Sequence, residues 1–263
     1  MTTTIALAGK GGVGKTTLAA LIVKYLVQTQ PGSILAIDAD PSSNFNLVLG
    51  LPLEWTVGDI RENMLGQVKS SLTRGGAAMG TMPGGISKRD YLDYHVHSAL
   101  AEGSRYDLIA MGRGEGPGCY CAVNHNLREV IDSISKHYAY VVIDNEAGME
   151  HLARRTTRDV QHLLIASDPT PRGLVAARRI AELARELEVS IEKVWLVVNR
   201  ATEALPPEST ELLEGIAASY VGAVPADGSL ADLDRFGRPL VDIEDASQSY
   251  LAVTGIMEKI LAA

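Results

Sequence analysis

Short apolar runs alternate along the chain with longer stretches in which apolar residues recur at helical spacing. Ile5-Ala6-Leu7-Ala8 is unbroken and closed by glycines, which predicts a buried first strand. From Thr16 to Gln28, Leu18, Leu21, Ile22 and Leu26 line one helical face, and Pro31-Gly32 supplies a turn. Ile34 to Ile37 reads as the second strand. Tyr140 to Ile143, His162 to Ala166, Trp195 to Val198 and Tyr220 to Val224 read as later ones. Helical stretches separate these last four, Leu174 to Leu187 being the clearest, with paired Arg and Glu residues. From Ser249 to Ala262, Leu251, Val253, Met257, Ile260 and Leu261 predict a closing helix packed on the core. The alternation predicts an α/β fold: a mainly parallel central sheet with helices on both faces. Such a sheet binds ligands beyond the carboxyl ends of its strands.

The stretch from Gly66 to Gly118 is less regular. It carries Gly75-Gly76, Gly84-Gly85 and Gly116-Pro117-Gly118, with candidate strands at Ala77 to Met82 and Tyr106 to Met111. No linker-like composition sets it apart, so it reads as an elaboration, at about residues 66–125, inside one domain. The length of 263 residues, 46% hydrophobic and 21% charged, suits a single larger α/β domain. A net charge of −8 argues against a broad surface for nucleic acid. No apolar run approaches the ~20 residues that cross a bilayer, and Met1 to Ala8 does not read as a signal peptide. The expected location is the cytoplasm, with neither nucleic acid nor membrane as a partner.

Chemistry enters where the first strand ends. Gly9-Lys10-Gly11-Gly12-Val13-Gly14-Lys15-Thr16 fits the phosphate-loop pattern G-x-x-x-x-G-K-S/T, with an apolar strand before it and a helix after it. Glycines let successive backbone N–H groups turn inward around phosphate oxygens, and the helix adds its positive end. Lys15 supplies a point charge to the terminal phosphates and Thr16 a hydroxyl for Mg²⁺. The expected ligand is ATP. Lys10 cannot easily fold back onto phosphates that its own loop wraps. It is either a solvated loop lysine or a charge that reaches the partner's nucleotide across a two-fold interface, as an arginine finger does.

Acidic residues fall at two other strand ends. Asp38-Ala39-Asp40-Pro41 follows the second strand, and Asp144 follows Val141-Val142-Ile143. An aspartate there is a helix cap or a functional group. Beside a phosphate loop, Asp144 is placed for Mg²⁺, directly or through water, and Asp38 to support the metal shell. Asp40 is the candidate to orient or deprotonate the attacking water, and Gly148 to sense the γ-phosphate. Asn199 is either a turn asparagine or an amide that hydrogen-bonds the base, with Pro225 and Asp227 on the base's other side.

Cys119-Tyr120-Cys121 remains. Alternate cysteines do not comfortably close an intrachain disulfide, and two thiolates do not complete a four-ligand site. They are either reduced core cysteines or half of a site in which two pairs face each other across a dimer axis and hold Zn²⁺ or Ni²⁺. Flanking Gly116-Pro117-Gly118 points to an exposed loop and so to metal. His95 and His97 share a face only if extended and read as surface or packing residues. His125 is a spare ligand, and His151 lies just past Gly148.

Over nearly its whole length the chain resembles the deviant P-loop ATPases related to nitrogenase iron protein, MinD and ParA. The resemblance is carried by Lys10 to Thr17, Asp38-Ala39-Asp40-Pro41, the Asp144 segment and Asn199-Arg200. Within that group it looks like the carbon monoxide dehydrogenase maturation ATPases, the CooC-type nickel-insertion proteins. Here the carriers are Met111-Gly112, Gly118-Cys119-Tyr120-Cys121 and Asp144-x-x-Ala147-Gly148-x-Glu150-His151-Leu152. The resemblance implies a P-loop domain of the SIMIBI type binding ATP or ADP with Mg²⁺, with Gly11 to Thr17 and Arg200 at the nucleotide. It also implies a homodimer with metal on the two Cys-x-Cys pairs, and ATP hydrolysis coupled to nickel delivery. The client would be a nickel-iron-sulfur enzyme, carbon monoxide dehydrogenase or acetyl-CoA synthase. Ala122 stands where that family often has proline, which loosens assignment to a sub-branch.

Three rivals fit less well. An electron carrier like nitrogenase iron protein needs a cysteine in the Asp144 segment, and Asn145 to Arg154 has none. A MinD-type positioning ATPase needs a basic amphipathic C-terminal helix, and Ser249 to Ala262 carries only Lys259. A DNA-partitioning ATPase sits poorly with the acidic charge and has no need of Cys-x-Cys.

Overall fold

The computed structural model describes residues 2–73, 85–113, 121–147, 159–186, 190–201 and 207–263. β1 (Thr3–Gly9) leads through the glycine loop into α1 (Lys15–Thr29) and β2 (Ile34–Asp38). Then come α2 (Phe45–Leu49), α3 (Val57–Thr73), α4 (Lys88–Ser98), β3 (Ala101–Glu102) and β4 (Tyr106–Ala110). α5 (Cys121–Ser135), β5 (Tyr140–Asp144), β6 (Asp159–Ser167) and α6 (Pro171–Glu186) follow. β7 (Ser190–Ala201), α7 (Pro207–Glu214), β8 (Ser219–Pro225), α8 (Gly228–Arg235) and α9 (Gln248–Ala262) complete the order.

The strands form one eight-stranded sheet, ordered β3-β4-β2-β5-β1-β6-β7-β8. Every pairing is parallel except that of β3 with β4. The apolar runs are continuous because both faces are covered, and side chains alternate between them. Ile5, Leu7, Ile34 and Ala36 pack with α1, α2 and α9 through Leu18, Leu21, Phe45, Val253 and Met257. Ala6, Ala8, Leu35 and Ile37 pack on the opposite face with Met64, Leu92, Val130 and Leu174 of α3, α4, α5 and α6. Each fully buried leucine there contributes about 1.5–3 kcal/mol by leaving water. The chain moves outward from β1 to β2 and β4, returns to β5, then crosses to β6 on the other side of β1. The end of β1 therefore lies at a switch in strand order, where a parallel sheet opens a crevice.

The strands expected at Ile5, Ile34, Tyr140 and Tyr220 and the α1, α6 and α9 helices are present at nearly the expected limits, whereas β6 and β7 run well beyond the apolar runs at His162–Ala166 and Trp195–Val198. Of the less regular stretch, Tyr106–Ala110 is the expected strand, while Ala77 to Met82 lies outside the described residues. The surroundings differ from a loop-rich insert, because α3 runs straight through Gly66 and α4 follows. Only Leu92 and Val96 of α4 are buried, too few to show a helical period. Ser87 caps its start: the hydroxyl accepts from the Asp90 N–H (3.0 Å) and donates to the Asp90 carboxylate (2.7 Å). His95 and His97 lie on this helix, His97 Nδ1 2.8 Å from the Asp93 carbonyl and His95 against Tyr91 and Tyr94. Among the described residues no helix is long and apolar enough to cross a membrane.

Candidate functional site

The loop from Gly9 to Gly14 leaves the end of β1 and turns into α1. Gly14 is left-handed (φ 88°), and a Cβ there would run into the Asn199 side-chain amide. The loop is open on one side and pinned on the other: Gly11 and Gly12 are exposed, whereas Val13 and Lys15 are buried. The Lys15 ammonium lies 3.5 Å from the Lys10 carbonyl oxygen. Thr16 and Thr17 sit in the first turn of α1, and the Thr16 hydroxyl donates to Asp144 Oδ2 at 2.6 Å.

Opposite Lys15 stand two carboxylates from neighbouring strand ends. Asp38 of β2 and Asp144 of β5 are paired in register, 1% and 2% exposed. Asp38 accepts from the N–H groups of Asp40 (3.0 Å) and Phe45 (2.9 Å), which ties down the segment between them. Burial pushes Asp38 up to about 6, against the pull of those two N–H groups, with the Asp40 charge adding to the rise. Burial likewise raises Asp144 to about 7; the Thr16 hydrogen bond and Lys15 lower it, and Asp38 and Asp40 raise it. Asp144 Oδ1 is buried with no hydrogen-bond partner among the described residues. Two buried carboxylates, an unpartnered oxygen and an adjacent hydroxyl form a hard-oxygen donor set of the kind Mg²⁺ takes. The residues present therefore fit that ion.

Asp40 is half-exposed, and its Oδ1 accepts from the Ser42 N–H (2.8 Å) and hydroxyl (2.6 Å). It stands at the mouth of the crevice, beyond the buried pair. Lys10 is exposed and rims a groove of about 540 Å³ lined along α6 by Pro171, Arg172, Val175, Ala176 and Arg179.

Two residues expected at the base make contacts within the protein. Asn199, buried at the end of β7, donates from Nδ2 to the Val13 carbonyl at 2.8 Å, so this amide grips the loop and the residue is no mere turn asparagine. The Asp227 carboxylate is an internal clip. It caps α8 through the Ser229 N–H (2.8 Å) and accepts from the Ser247 hydroxyl (2.6 Å) and the Ser249 N–H (3.1 Å) and hydroxyl (3.0 Å) at the start of α9. Burial there works upward, but those four donors outweigh it and hold Asp227 at about 2. A polar recess of about 410 Å³ opens beside it, between Ala226–Ser229 and Glu244–Gln248. Pro225 ends β8 and is half-buried. Arg200 donates from its guanidinium to the Gly12 carbonyl at 3.1 Å.

Asn145 escaped sequence reasoning. It is 2% exposed, and its Nδ2 donates to the Leu7 carbonyl at 2.8 Å, locking β5 to β1 directly below the loop. The available signal was a second polar residue, straight after Asp144, at the end of an apolar strand. Cys119, Gly148 and His151 lie outside the described residues. Cys121 is the first residue of helix α5. Among the described residues, no three His, Cys, Asp or Glu side chains cluster closely enough to hold an ion unaided.

Residues 4–240 match the family described as the CobQ/CobB/MinD/ParA nucleotide binding domain. The chain is 42% identical to an ATP-binding protein of Methanocaldococcus jannaschii over 261 residues, 98% of each chain. It is 27% identical to the carbon monoxide dehydrogenase accessory protein CooC of Rhodospirillum rubrum, over 97% of each. In three dimensions it is similar to the septum site-determining protein MinD of Pyrococcus horikoshii complexed with Mg-ADP. That likeness has a TM-score of 0.69 and 19% identity, over 100% of this chain and 98% of the other.

Proposed function

We propose, for a chain that belongs to the CobQ/CobB/MinD/ParA nucleotide-binding family, that it is a Mg²⁺-dependent ATPase acting as a homodimer to deliver nickel to a nickel-iron-sulfur enzyme. The observation that carries the ATPase part is the cluster of buried Lys15, Asp38 and Asp144 with half-buried Thr16 beside the glycine loop. Gly11 to Thr17 bind the phosphates, and Lys15 offsets their charge. Thr16 and Asp144 hold Mg²⁺, with Asp38 behind them. When bound, the ion would neutralise charge that develops on the phosphate oxygens. Asp40, at the mouth of the crevice, orients the attacking water and accepts its proton. Lys10 points along the open side of the loop and serves the partner's nucleotide.

The delivery part draws on the Cys119-x-Cys121 spacing and on the likeness to the accessory protein CooC. Two pairs facing across a two-fold axis give four soft ligands for nickel cargo, with Zn²⁺ as the alternative occupant. ATP closes the dimer because Lys10 of each subunit completes the other's site. Closure then alters the spacing of the thiolate pairs and hydrolysis resets it. Carbon monoxide dehydrogenase and acetyl-CoA synthase are the client classes this chemistry serves.

Metal content and mass in solution test the reading, with nickel or zinc, for the native sequence and Cys119→Ala. One ion per dimer, lost in the variant, supports it. One ion per monomer, or none, rejects the delivery role and leaves a MinD/ParA-type positioning or partitioning ATPase. Equal nickel affinity with ADP and with a non-hydrolysable ATP analogue would remove the coupling between nucleotide and cargo.

A further inference from the structure

Successive side chains of a strand point to opposite faces of the sheet. Asn199 and Arg200 are consecutive in β7, yet both reach the phosphate loop: Asn199 Nδ2 to the Val13 carbonyl and Arg200 Nη1 to the Gly12 carbonyl. The backbone explains how. Arg200 is left-handed (φ 56°), a conformation costly for a residue with a Cβ. The register of β7 on β8 slips at the same place, from Asn199 opposite Val224 to Ala201 opposite Pro225, so Arg200 is the extra residue of a bulge. Pro225, which has no N–H to give, stands at the far side of the slip. Bulges re-aim side chains, and this one aims two neighbours at one loop.

Their targets matter. A loop that turns its N–H groups inward toward an anion must turn carbonyls outward, and outward carbonyls next to a buried core need donors. Val13 is 2% exposed, so its carbonyl would otherwise lie unsatisfied against the protein. Together the two contacts occupy consecutive carbonyls of the loop from behind.

We infer that the β7 bulge is a clasp: Asn199 and Arg200 are positioning residues that hold the phosphate loop in its amide-inward form, so that a polyphosphate meets a preformed cradle. The inference rests on reading the loop as a nucleotide site, and it differs from a base-recognition role because it acts on phosphate alone.

Calorimetry at about 0.5 M KCl, where general attraction between Arg200 and phosphate is screened, separates the possibilities. The ligands are Mg-ATP and Mg-tripolyphosphate, which has no base, and the chains are wild type, Arg200→Gly and Asn199→Leu. Arg200→Gly relieves the left-handed strain, so its melting temperature is expected to equal or exceed that of wild type. Its affinity for both ligands is expected to fall about tenfold, as expected of a lost charge-assisted hydrogen bond. Asn199→Leu is expected to weaken both ligands alike. Unchanged tripolyphosphate affinity in either variant overturns the clasp. A fall in affinity that only tracks a fall in melting temperature in Arg200→Gly also overturns it. If wild type binds neither ligand, the nucleotide reading itself fails, and the clasp with it.

Discussion

Asp144 carries a cost in the free protein that binding would remove. A buried carboxylate with an unpartnered oxygen is unfavourable as a charge, and its proton affinity rises accordingly. Asp144→Asn keeps the shape and removes the charge, so the free variant should melt no lower than wild type. Hydrolysis of Mg-ATP should drop by about 100-fold or more, measured as phosphate release at saturating magnesium. Lys10 predicts a different split. Lys10 is exposed, and the proposed service to the other subunit implies that Lys10→Ala should bind ATP within about threefold of wild type and lose about 10³-fold in kcat. A comparable loss of affinity would return Lys10 to its own loop. Asp227 carries a pH signature: its pKa is depressed to about 2 from an ordinary 3.8, so the clip stabilises the fold above about pH 4. That contribution should fade as pH falls through 2. Asp227→Asn should therefore be less stable than wild type at neutral pH, with the gap narrowing between pH 4 and 2 in denaturant titrations.

At the scale of elements, the long apolar strands and the motif-bearing loop could be read directly from sequence. The runs of β1, β2 and β5 are buried on both sides, so hydrophobicity alone marked them. The helices α3 and α4 were obscured because one carries Gly66, a weak helix former, in its interior and the other buries only Leu92 and Val96. The Asn199 and Arg200 contacts were illegible for another reason. They depend on a one-residue bulge, and period-2 reasoning places neighbours on opposite faces. The closing helix makes a plain packing prediction: Met257 is 0% exposed between α1 and β8, so Met257→Ala should cost about 2–5 kcal/mol in chemical unfolding.

For the whole molecule, fold and family follow from a pattern spread along the chain, whereas the proposed nickel cargo rests on two cysteines in one short stretch. That asymmetry decides which claims need solution data: domain architecture does not, and assembly does. Mg-ATP should shift the native mass toward twice 28.1 kDa, while ADP should not, as read by light scattering. The edges of the sheet bear on how such a pair forms. An open edge strand offers unpaired N–H and C=O groups to any passing chain, but β3 presents only Ala101 and Glu102. At the other border, β8 carries Gly222 in its middle and ends at Pro225, and α9 packs across its face. Neither border invites a neighbour to extend the sheet, which protects the chain from runaway stacking and fibre growth. Association is thereby directed to faces and strand ends, where it can be made conditional on a ligand and undone.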